Sequence, residues 1–146
     1  MPGSPVPDPL RGLAGYLLRR AATAAVAELN RRLARLGLRH ADVALLMLIE
    51  AAPDISQSAA GRVLEIERAN MVPFVARLER RGLLGRRRLD RRSQALELTR
   101  RGRLLLRRAR RVVAAHEAAL LQRVPRRLRH AVLPVLMALW SPGRGG

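Results

Sequence analysis

The sequence predicts a mainly α-helical fold that includes one small β-hairpin. Apolar residues recur at helical spacing through most of the chain. Between residues 83 and 98 the pattern changes, because apolar and polar residues alternate there and a polar turn interrupts them. Capping and helix-breaking residues divide the helical stretches into several helices. A chain of 146 residues that is 49% apolar suits a single domain with its own core.

The first two helices are expected before residue 53. Over residues 9–36, leucines and alanines fall near one stripe and arginines lie off it, which is typical of an amphipathic helix. Gly37 follows at the position where a glycine commonly ends a helix. A second helix is expected over residues 40–52. It is apolar nearly all round, which is typical of a buried helix, and Pro53 ends it.

Two short helices follow, joined by a tight turn. Ser56 is the expected N-cap of a third helix over residues 57–64. After a turn at residues 64–66, a fourth helix is expected over residues 68–81, with Glu67 as its cap and Gly82 as its end. This arrangement is a helix-turn-helix, in which the second helix enters the major groove of DNA.

Pro73 lies inside the expected fourth helix. A proline in a helix interior removes one backbone hydrogen bond and can kink the helix. The fourth helix therefore either begins later, near Met71, or bends at this point.

A β-hairpin and two further helices complete the chain. Strands are expected over residues 83–88 and 93–98. Thr99 is the expected cap of a long helix over residues 100–122. Pro125 is expected to open a last helix, because proline is tolerated in a first helical turn. A hairpin that follows a helix-turn-helix in this way predicts a winged helix.

The predicted organisation is a loose segment at residues 1–8 and a single winged-helix domain at residues 9–146. Residues 40–99 form its winged helix-turn-helix core, and residues 9–37 and 100–140 supply flanking helices. The flanking helices carry wide apolar stripes that a small winged helix cannot cover. Burial of these stripes against a second copy predicts a two-fold homodimer, with the flanking helices as dimerisation helices.

Charge is concentrated in one part of the chain. The formal net charge is +18, and every basic residue is Arg. Residues 67–111 hold 16 of the 29 arginines and only 4 of the 11 acidic residues. A localised positive field predicts a polyanionic partner. Only three aromatic residues are present, which disfavours the single-strand binders that stack bases on aromatic side chains. Double-stranded DNA is therefore the predicted partner.

Other classes of function find no support in the residues. The chain has no Cys, which excludes disulfides, thiolate metal sites and thiol redox switches. His40, His116 and His130 lack the close helical spacing of a metal site, and no catalytic triad or Gly-rich phosphate loop is present. We expect no catalytic residue, no metal and no cofactor, and a protein that is not an enzyme.

A membrane partner and export are also disfavoured. The longest uncharged apolar stretch, residues 131–143, contains two prolines and is shorter than the ~20 residues that span a bilayer. The N-terminus lacks the basic-then-apolar layout of a signal peptide. We therefore expect a cytoplasmic protein.

Several short sequence segments, by their order and spacing along the chain, resemble the MarR family (multiple antibiotic resistance regulators). The match runs over most of residues 10–140, and the segment from the wing to the helix cap is its most specific part. The resemblance implies a homodimer that represses transcription from a palindromic operator and often releases it on binding a small-molecule effector. The segments are Leu36-Gly37-Leu38, residues 53–57, residues 77–84, Asp90-Arg91-Arg92, Leu98-Thr99 and Gly102.

Candidate DNA contacts lie first in the helix-turn-helix. Arg68, Asn70 and Val72 begin the fourth helix, where Arg can pair with guanine and Asn with adenine. Ser56 and Gln57 begin the third helix and suit phosphate binding, although a plain N-cap explains Ser56 equally well. Two further arginines are assigned to the same surface, Arg77 and Arg86.

The predicted wing supplies the remaining candidates. Arg91 and Arg92 can lie in or along a minor groove, where guanidinium groups meet enhanced negative potential. The alternative is a solvated turn with one Arg paired to Asp90. The resemblance implies that Asp90 pairs with Arg92 and supports the wing, which leaves Arg91 to read DNA.

The effector-binding residues cannot be assigned from the sequence. The resemblance places family pockets between the dimerisation helices and the winged helix. Tyr16, His40 and Met47 are candidates to line one, and core packing explains them equally well.

Two other functions remain open at this level. The high net charge also suits an architectural protein that coats DNA without sequence preference, and it suits a basic RNA- or ribosome-associated protein. The ordered set of motifs favours a sequence-specific regulator. Salt-resistant preference for one palindrome separates the regulator from the architectural protein, and binding to folded RNA without binding to duplex DNA would indicate the RNA-associated protein.

Overall fold

A computed structural model describes residues 8–140, so the expected loose segment at residues 1–8 lies, apart from Asp8, outside the described part. The fold is mainly α-helical with one antiparallel hairpin, as predicted. Three short 3₁₀ segments lie at Pro9–Gly12, Ala34–Leu36 and Arg126–Ala131. The helices and strands are α1 (Ala14–Leu33), α2 (His40–Ala51), α3 (Gln57–Val63), α4 (Arg68–Arg80), β1 (Leu84–Arg88), β2 (Gln94–Leu98), α5 (Arg100–Gln122) and α6 (Val132–Leu139).

The chain forms two compact units, Met1–Val112 and Val113–Gly146. The division falls inside α5, so this helix contributes residues to both units. The first unit contains the helix-turn-helix and the hairpin, and it holds every buried apolar side chain among the described residues.

The start of the chain differs from the single helix expected over residues 9–36. Pro9–Gly12 forms a 3₁₀ turn, and the Asp8 carboxylate accepts a hydrogen bond from the Leu10 N–H at 3.0 Å. Leu13 is extended, so α1 begins only at Ala14. Gly37 ends the helical segment with φ of 64°, a left-handed conformation that glycine adopts without strain. The helix end was therefore predicted correctly.

The core of the first unit is built on α2. Leu45 and Leu46 are fully buried, which confirms the prediction that this helix is interior. Strand β2 packs on the same core through Leu96, whose N–H donates to the carbonyl of Ile55 at 2.9 Å. One backbone hydrogen bond thus joins the loop after α2 to strand β2, and this bond positions the hairpin against the core.

Helix α4 begins at Arg68 and continues through Pro73, so the alternative of a later start near Met71 is wrong. The N–H groups of Asn70 and Met71 both donate to the Glu67 carbonyl at 2.9 Å, which closes the first turn before the proline is reached. Pro73 has no N–H to donate to the Ala69 carbonyl. The helix is held instead by its buried face of Met71, Val75 and Leu78.

The junction between hairpin and α5 explains two of the resemblance motifs. The Thr99 hydroxyl donates to the Gly82 carbonyl at 2.7 Å and accepts from the Gly102 N–H at 2.9 Å, so Thr99 caps α5 as predicted. A Cβ atom at Gly102 would lie 2.1 Å from the Leu83 carbonyl oxygen. Only glycine allows the first turn of α5 to approach the start of the hairpin this closely.

The second unit departs from the expected last helix. Pro125 precedes a 3₁₀ segment, and α-helix begins only at Val132. Pro134 is the third residue of α6, within a first helical turn where its missing N–H is tolerated, so the proline that lies at the start of this helix is Pro134 and not Pro125. The Arg129 guanidinium donates to the carbonyls of Gln122 and Val124, which satisfies groups at the end of α5.

No side chain of α6 is buried in the single chain. His116, in contrast, is 2% exposed, and its Nδ1 has no hydrogen-bond partner among residues 8–140. No helix within that range is long and apolar enough to cross a bilayer.

Candidate nucleic-acid interface

A groove of about 960 Å³ lies between the helix-turn-helix and the wing. It collects most of the residues that the sequence predicted to contact DNA. Asn70, Arg77 and Arg91 are the predicted contacts that do not line it. Those that line it are Ser56, Gln57, Arg68, Val72, Arg86 and Arg92.

Other groove residues were not predicted. Ser58 and Arg62 lie one helical turn apart on α3, at a spacing that places both on one face. The spacing of four residues between Ser58 and Arg62 was a signal in the sequence that places both side chains on one face of α3. Ser93 and Gln94 reach the groove from the wing, which only the hairpin register reveals.

The tight turn between α3 and α4 orients the groove. Glu65 adopts a left-handed conformation with φ of 53°, and the Ile66 N–H donates to the Gly61 carbonyl at 2.9 Å. A Cβ atom at Gly61 would lie 3.2 Å from the Ile66 carbonyl oxygen and 3.5 Å from the Met71 side chain. The small residue on α3 therefore allows the two helices to pack closely enough to form the motif.

Ser56 caps α3 as predicted. Its hydroxyl accepts from the Ala59 N–H at 3.2 Å and lies 3.2 Å from the Ser58 hydroxyl. Ser58 is exposed, so a hydroxyl pair marks this edge of the groove.

Arg86 ties the wing to both helices of the motif. Its Nε donates to Glu79 on α4 at 2.7 Å, and its Nη2 donates to the Gln57 side chain on α3 at 2.9 Å. Arg87 points to the other side of the hairpin, where it pairs with Asp54 at 2.6 Å. Because neighbouring strand residues alternate in direction, the Arg86–Arg88 run cannot present a single basic face.

Arg77 joins α4 to α2 through an ion pair with Asp42. The Asp42 side chain is 1% exposed, and its second oxygen accepts from the Arg39 N–H at 2.8 Å. Asp42 thus caps α2, where Arg39 occupies the usual position of a capping side chain. The Arg77 guanidinium also lies 5.4 Å from the centroid of the Phe74 ring. These contacts fix the position of α4 in the fold.

The wing turn is organised by Asp90. Its carboxylate accepts from the backbone N–H groups of Arg92 at 2.7 Å and Ser93 at 2.9 Å. Hydrogen bonds from the Ser93 side chain and from the backbone of Arg92 and Ser93 lower the pKa of Asp90 below its ordinary value. The resemblance implied a pair with the Arg92 guanidinium, whereas the structure shows a bond to the Arg92 backbone. Among the described residues, neither Arg91 nor Arg92 forms an ion pair.

The three candidate effector residues have separate surroundings. Tyr16 lies beneath the guanidinium groups of Arg19 and Arg20, at 5.6 and 5.9 Å from its ring centroid. The backbone N–H of His40 donates to the Asn30 side chain at 2.8 Å, which joins α1 to α2. Met47 is half-buried on α2. Residues 8–140 contain no group of three or more metal-ligating side chains that could hold an ion.

Comparisons with known proteins agree with this architecture. A family model described as the MarR family matches residues 38–93. The transcriptional repressor CouR, solved with a 23-mer DNA duplex, is 36% identical; the match covers 93% of this chain and 99% of that chain with a TM-score of 0.87. CouR solved with p-coumaroyl-CoA is 34% identical, with 94% and 99% covered and a TM-score of 0.85.

A third similar structure is the MarR family protein Rv2887 of Mycobacterium tuberculosis in complex with salicylic acid. It is 29% identical, with 86% of this chain and 95% of that chain covered and a TM-score of 0.71. The comparison with curated proteins found no match. Identity above 30% over nearly the full length, together with the winged helix and its groove, establishes that the chain belongs to the MarR family of DNA-binding transcription regulators.

Proposed function

We propose that this protein is a homodimeric repressor that binds a palindromic DNA operator and leaves it when a small ligand binds. The observation that carries the proposal is the groove between α3, α4 and the wing, which gathers Ser56, Gln57, Arg68 and Arg92 on one surface. The similarity of this chain to a repressor that was solved with a DNA duplex supports the same assignment.

In this proposal α4 is the recognition helix. Arg68 and Asn70 are exposed on its first turn and read guanine and adenine edges in the major groove. Arg91 and Arg92, free of ion pairs in the described chain, lie along the neighbouring minor groove or its phosphates. Ser56 anchors the start of α3 beside the backbone.

Three of the predicted DNA contacts also have a positioning role within the fold. Arg86 and Gln57 are bonded to each other and hold the wing against the helix-turn-helix. Arg77 holds α4 on α2 through Asp42. A winged helix braced in this way presents its reading residues in a geometry prepared before DNA arrives, which lowers the ordering cost of binding.

Residues 9–37 and 100–140 are proposed to be the dimerisation helices, and residues 40–99 the DNA-binding core. Leu13 and Leu17, near the start of the chain, are 55% and 46% exposed, and in α6 Leu133 and Met137 are 65% and 66% exposed. An apolar surface of this extent is unfavourable in water and is typical of a subunit interface. A second copy of the chain would cover it and would place two recognition helices for the two halves of a palindrome.

The proposed effector is an aromatic acid or its coenzyme A thioester. Similar structures contain p-coumaroyl-CoA and salicylic acid, and both ligands combine an aromatic ring with an anionic group. The regulator acts in the cytoplasm and has no catalytic role in this proposal. MarR-family regulators are generally not enzymes.

Selection of preferred duplexes from a random DNA library tests the proposal. We expect a palindromic consensus, salt-resistant preference for it over random duplex, and a solution mass of twice 16.2 kDa by light scattering. Equal affinity for all duplexes would indicate the architectural alternative. Preference for folded RNA would indicate the RNA-associated alternative.

A further inference from the structure

Val72 is an unusual residue for the surface on which it lies. In residues 40–99 the large apolar side chains left exposed are Val63 (60%), Val72 (53%) and Leu89 (41%). Val72 is the one among them that belongs to α4, and it lines the groove together with Gln57 and Arg68. An exposed apolar side chain therefore lies in the proposed DNA-binding groove beside polar residues predicted to contact DNA.

The fold does not account for Val72. Its neighbour Met71 and the next buried position, Val75, are 1% and 0% exposed, so the core-facing side of α4 is already filled. A β-branched residue at an exposed helical position also gives slightly less helix stability than alanine or leucine would. Val72 contributes neither core packing nor a favourable helix propensity.

Pro73 adds a second exposed apolar side chain to α4, next to the groove-lining Val72 although it does not line the groove itself. It is exposed and follows Val72 directly, and it adds a hydrocarbon ring without a backbone N–H. The first two turns of α4 thus present an apolar pair beside the polar residues Arg68 and Asn70.

We propose that Val72 is a specificity-determining residue that packs against the C5-methyl group of a thymine, with the Pro73 ring beside it. The inference rests on the proposed function, because it requires α4 to lie in the major groove. Thymine is the base that presents a methyl group there, whereas cytosine presents an amino donor at the neighbouring position. An isopropyl group cannot accept a hydrogen bond from that donor, so Val72 rejects cytosine as well as favouring thymine.

The test removes the methyl group from the DNA and leaves the base pairing intact. The consensus duplex from selection with the wild-type protein is synthesised with each thymine in turn replaced by deoxyuridine. We expect one thymine in each half-site at which the replacement weakens binding about fourfold, the value of one buried methyl-sized group. Replacement in both half-sites together is expected to weaken binding by more than tenfold.

The protein variants assign the effect to Val72. V72A should bind the thymine and deoxyuridine duplexes equally at that position, and V72I should retain the discrimination. V63A is the matched control, since Val63 is equally exposed but lies on α3 and does not line the groove; it should behave as wild type. Thermal unfolding should show all three variants to be at least nearly as stable as wild type, because the two valines lie on the surface and alanine has the higher helix propensity.

Four outcomes of these experiments decide the inference. The inference is supported if V72A loses the discrimination between thymine and deoxyuridine while V72I and V63A retain it. Insensitivity of wild type to deoxyuridine at every position, or full discrimination retained by V72A, overturns it while the proposed function stands. Failure to select any preferred duplex overturns both.

Discussion

The winged-helix core and the C-terminal helical unit have similar apolar content but different states of burial. In residues 40–99, Leu46, Val75 and Leu96 are at most 1% exposed. In α6, by contrast, Leu133 and Met137 are 65% and 66% exposed. The core buries its apolar residues within the chain, whereas α6 has none buried. Local pattern identifies an apolar face in both regions, but only packing shows whether the chain itself covers that face.

Polar contacts also differ between the winged-helix core and the second unit. Asp42, Arg77, Glu79 and Arg86 connect α2, α4 and the wing to one another through side-chain bonds. In the second unit, the Arg129 guanidinium bonds the carbonyl groups of Gln122 and Val124 at the end of α5. The DNA-binding core is therefore expected to fold and stay rigid independently of dimerisation.

The largest expected effect is on the apolar surface of α6. The double variant L133D/L136D should dissociate the dimer, because burial of each leucine is worth about 1.5–3 kcal/mol and both copies lose it. Sedimentation velocity should show a monomer, while circular dichroism should retain the helix content of the core. A variant that remains dimeric would show that α6 is outside the interface.

The next largest effect is expected on the stability of the core at the point where α5 begins. G102A places a Cβ where the Leu83 carbonyl oxygen stands, so it should destabilise the core by about 3 kcal/mol. Thermal unfolding measures this. G85A is the control, since a Cβ there would meet its nearest neighbour at an ordinary 3.8 Å; a similar loss in both variants would contradict the steric explanation.

A smaller loss of stability is expected when the ion pair between α2 and α4 is removed. R77A leaves the Asp42 carboxylate buried without its cation, which should cost about 2 kcal/mol, below the usual range for buried pairs because Arg77 is 40% exposed. Urea unfolding provides the measurement. R80A, at an exposed position of the same helix, is the control. Equal midpoints for the two variants would show that the pair contributes no stability.

Within the core, the wing and the recognition helix should differ in how they bind DNA. R91A should weaken binding to all duplexes by about 1 kcal/mol and reduce the salt slope by about one for each copy. N70A should instead reduce discrimination at one position of each half-site by ~1–3 kcal/mol. Affinity measured against salt, on the operator and on a single-base mismatch, distinguishes them. An unchanged slope in R91A would exclude wing contact.

The smallest effect is a pH dependence of the wing. Because hydrogen bonds lower the pKa of Asp90 in the folded protein, its contribution is complete above the ordinary pKa of 3.8 and disappears as pH falls through the lowered value. D90A should therefore weaken DNA binding at neutral pH, and wild type should resemble it only in strong acid. D90N retains one acceptor oxygen and should lie between them at neutral pH. Weaker DNA binding by D90N than by D90A at neutral pH would contradict the assigned role of the Asp90 side chain, which is to accept hydrogen bonds from the backbone of the wing turn.

Much of the fold was accessible before the structure was known. Ser56, Thr99 and Gly37 mark helix ends through local chemistry, and each was assigned correctly. The errors fall where two local signals compete. Pro125 favoured an immediate helix start, but a 3₁₀ segment follows it and Pro134 lies in the first turn of α6 instead. Helical periodicity alone did not reveal the break at Leu13.

The sequence by itself determined the family, the order of elements and the concentration of positive charge, because these depend on residue types and their spacing along the chain. Only the tertiary structure decided the partners of the charged residues. Arg86 pairs with a residue 29 positions away, Arg77 with one 35 positions away, and the Asp90 carboxylate bonds backbone instead of a guanidinium. Pairings of this kind depend on how separate elements pack, and the long reach of Arg side chains makes many partners equally available until packing selects one.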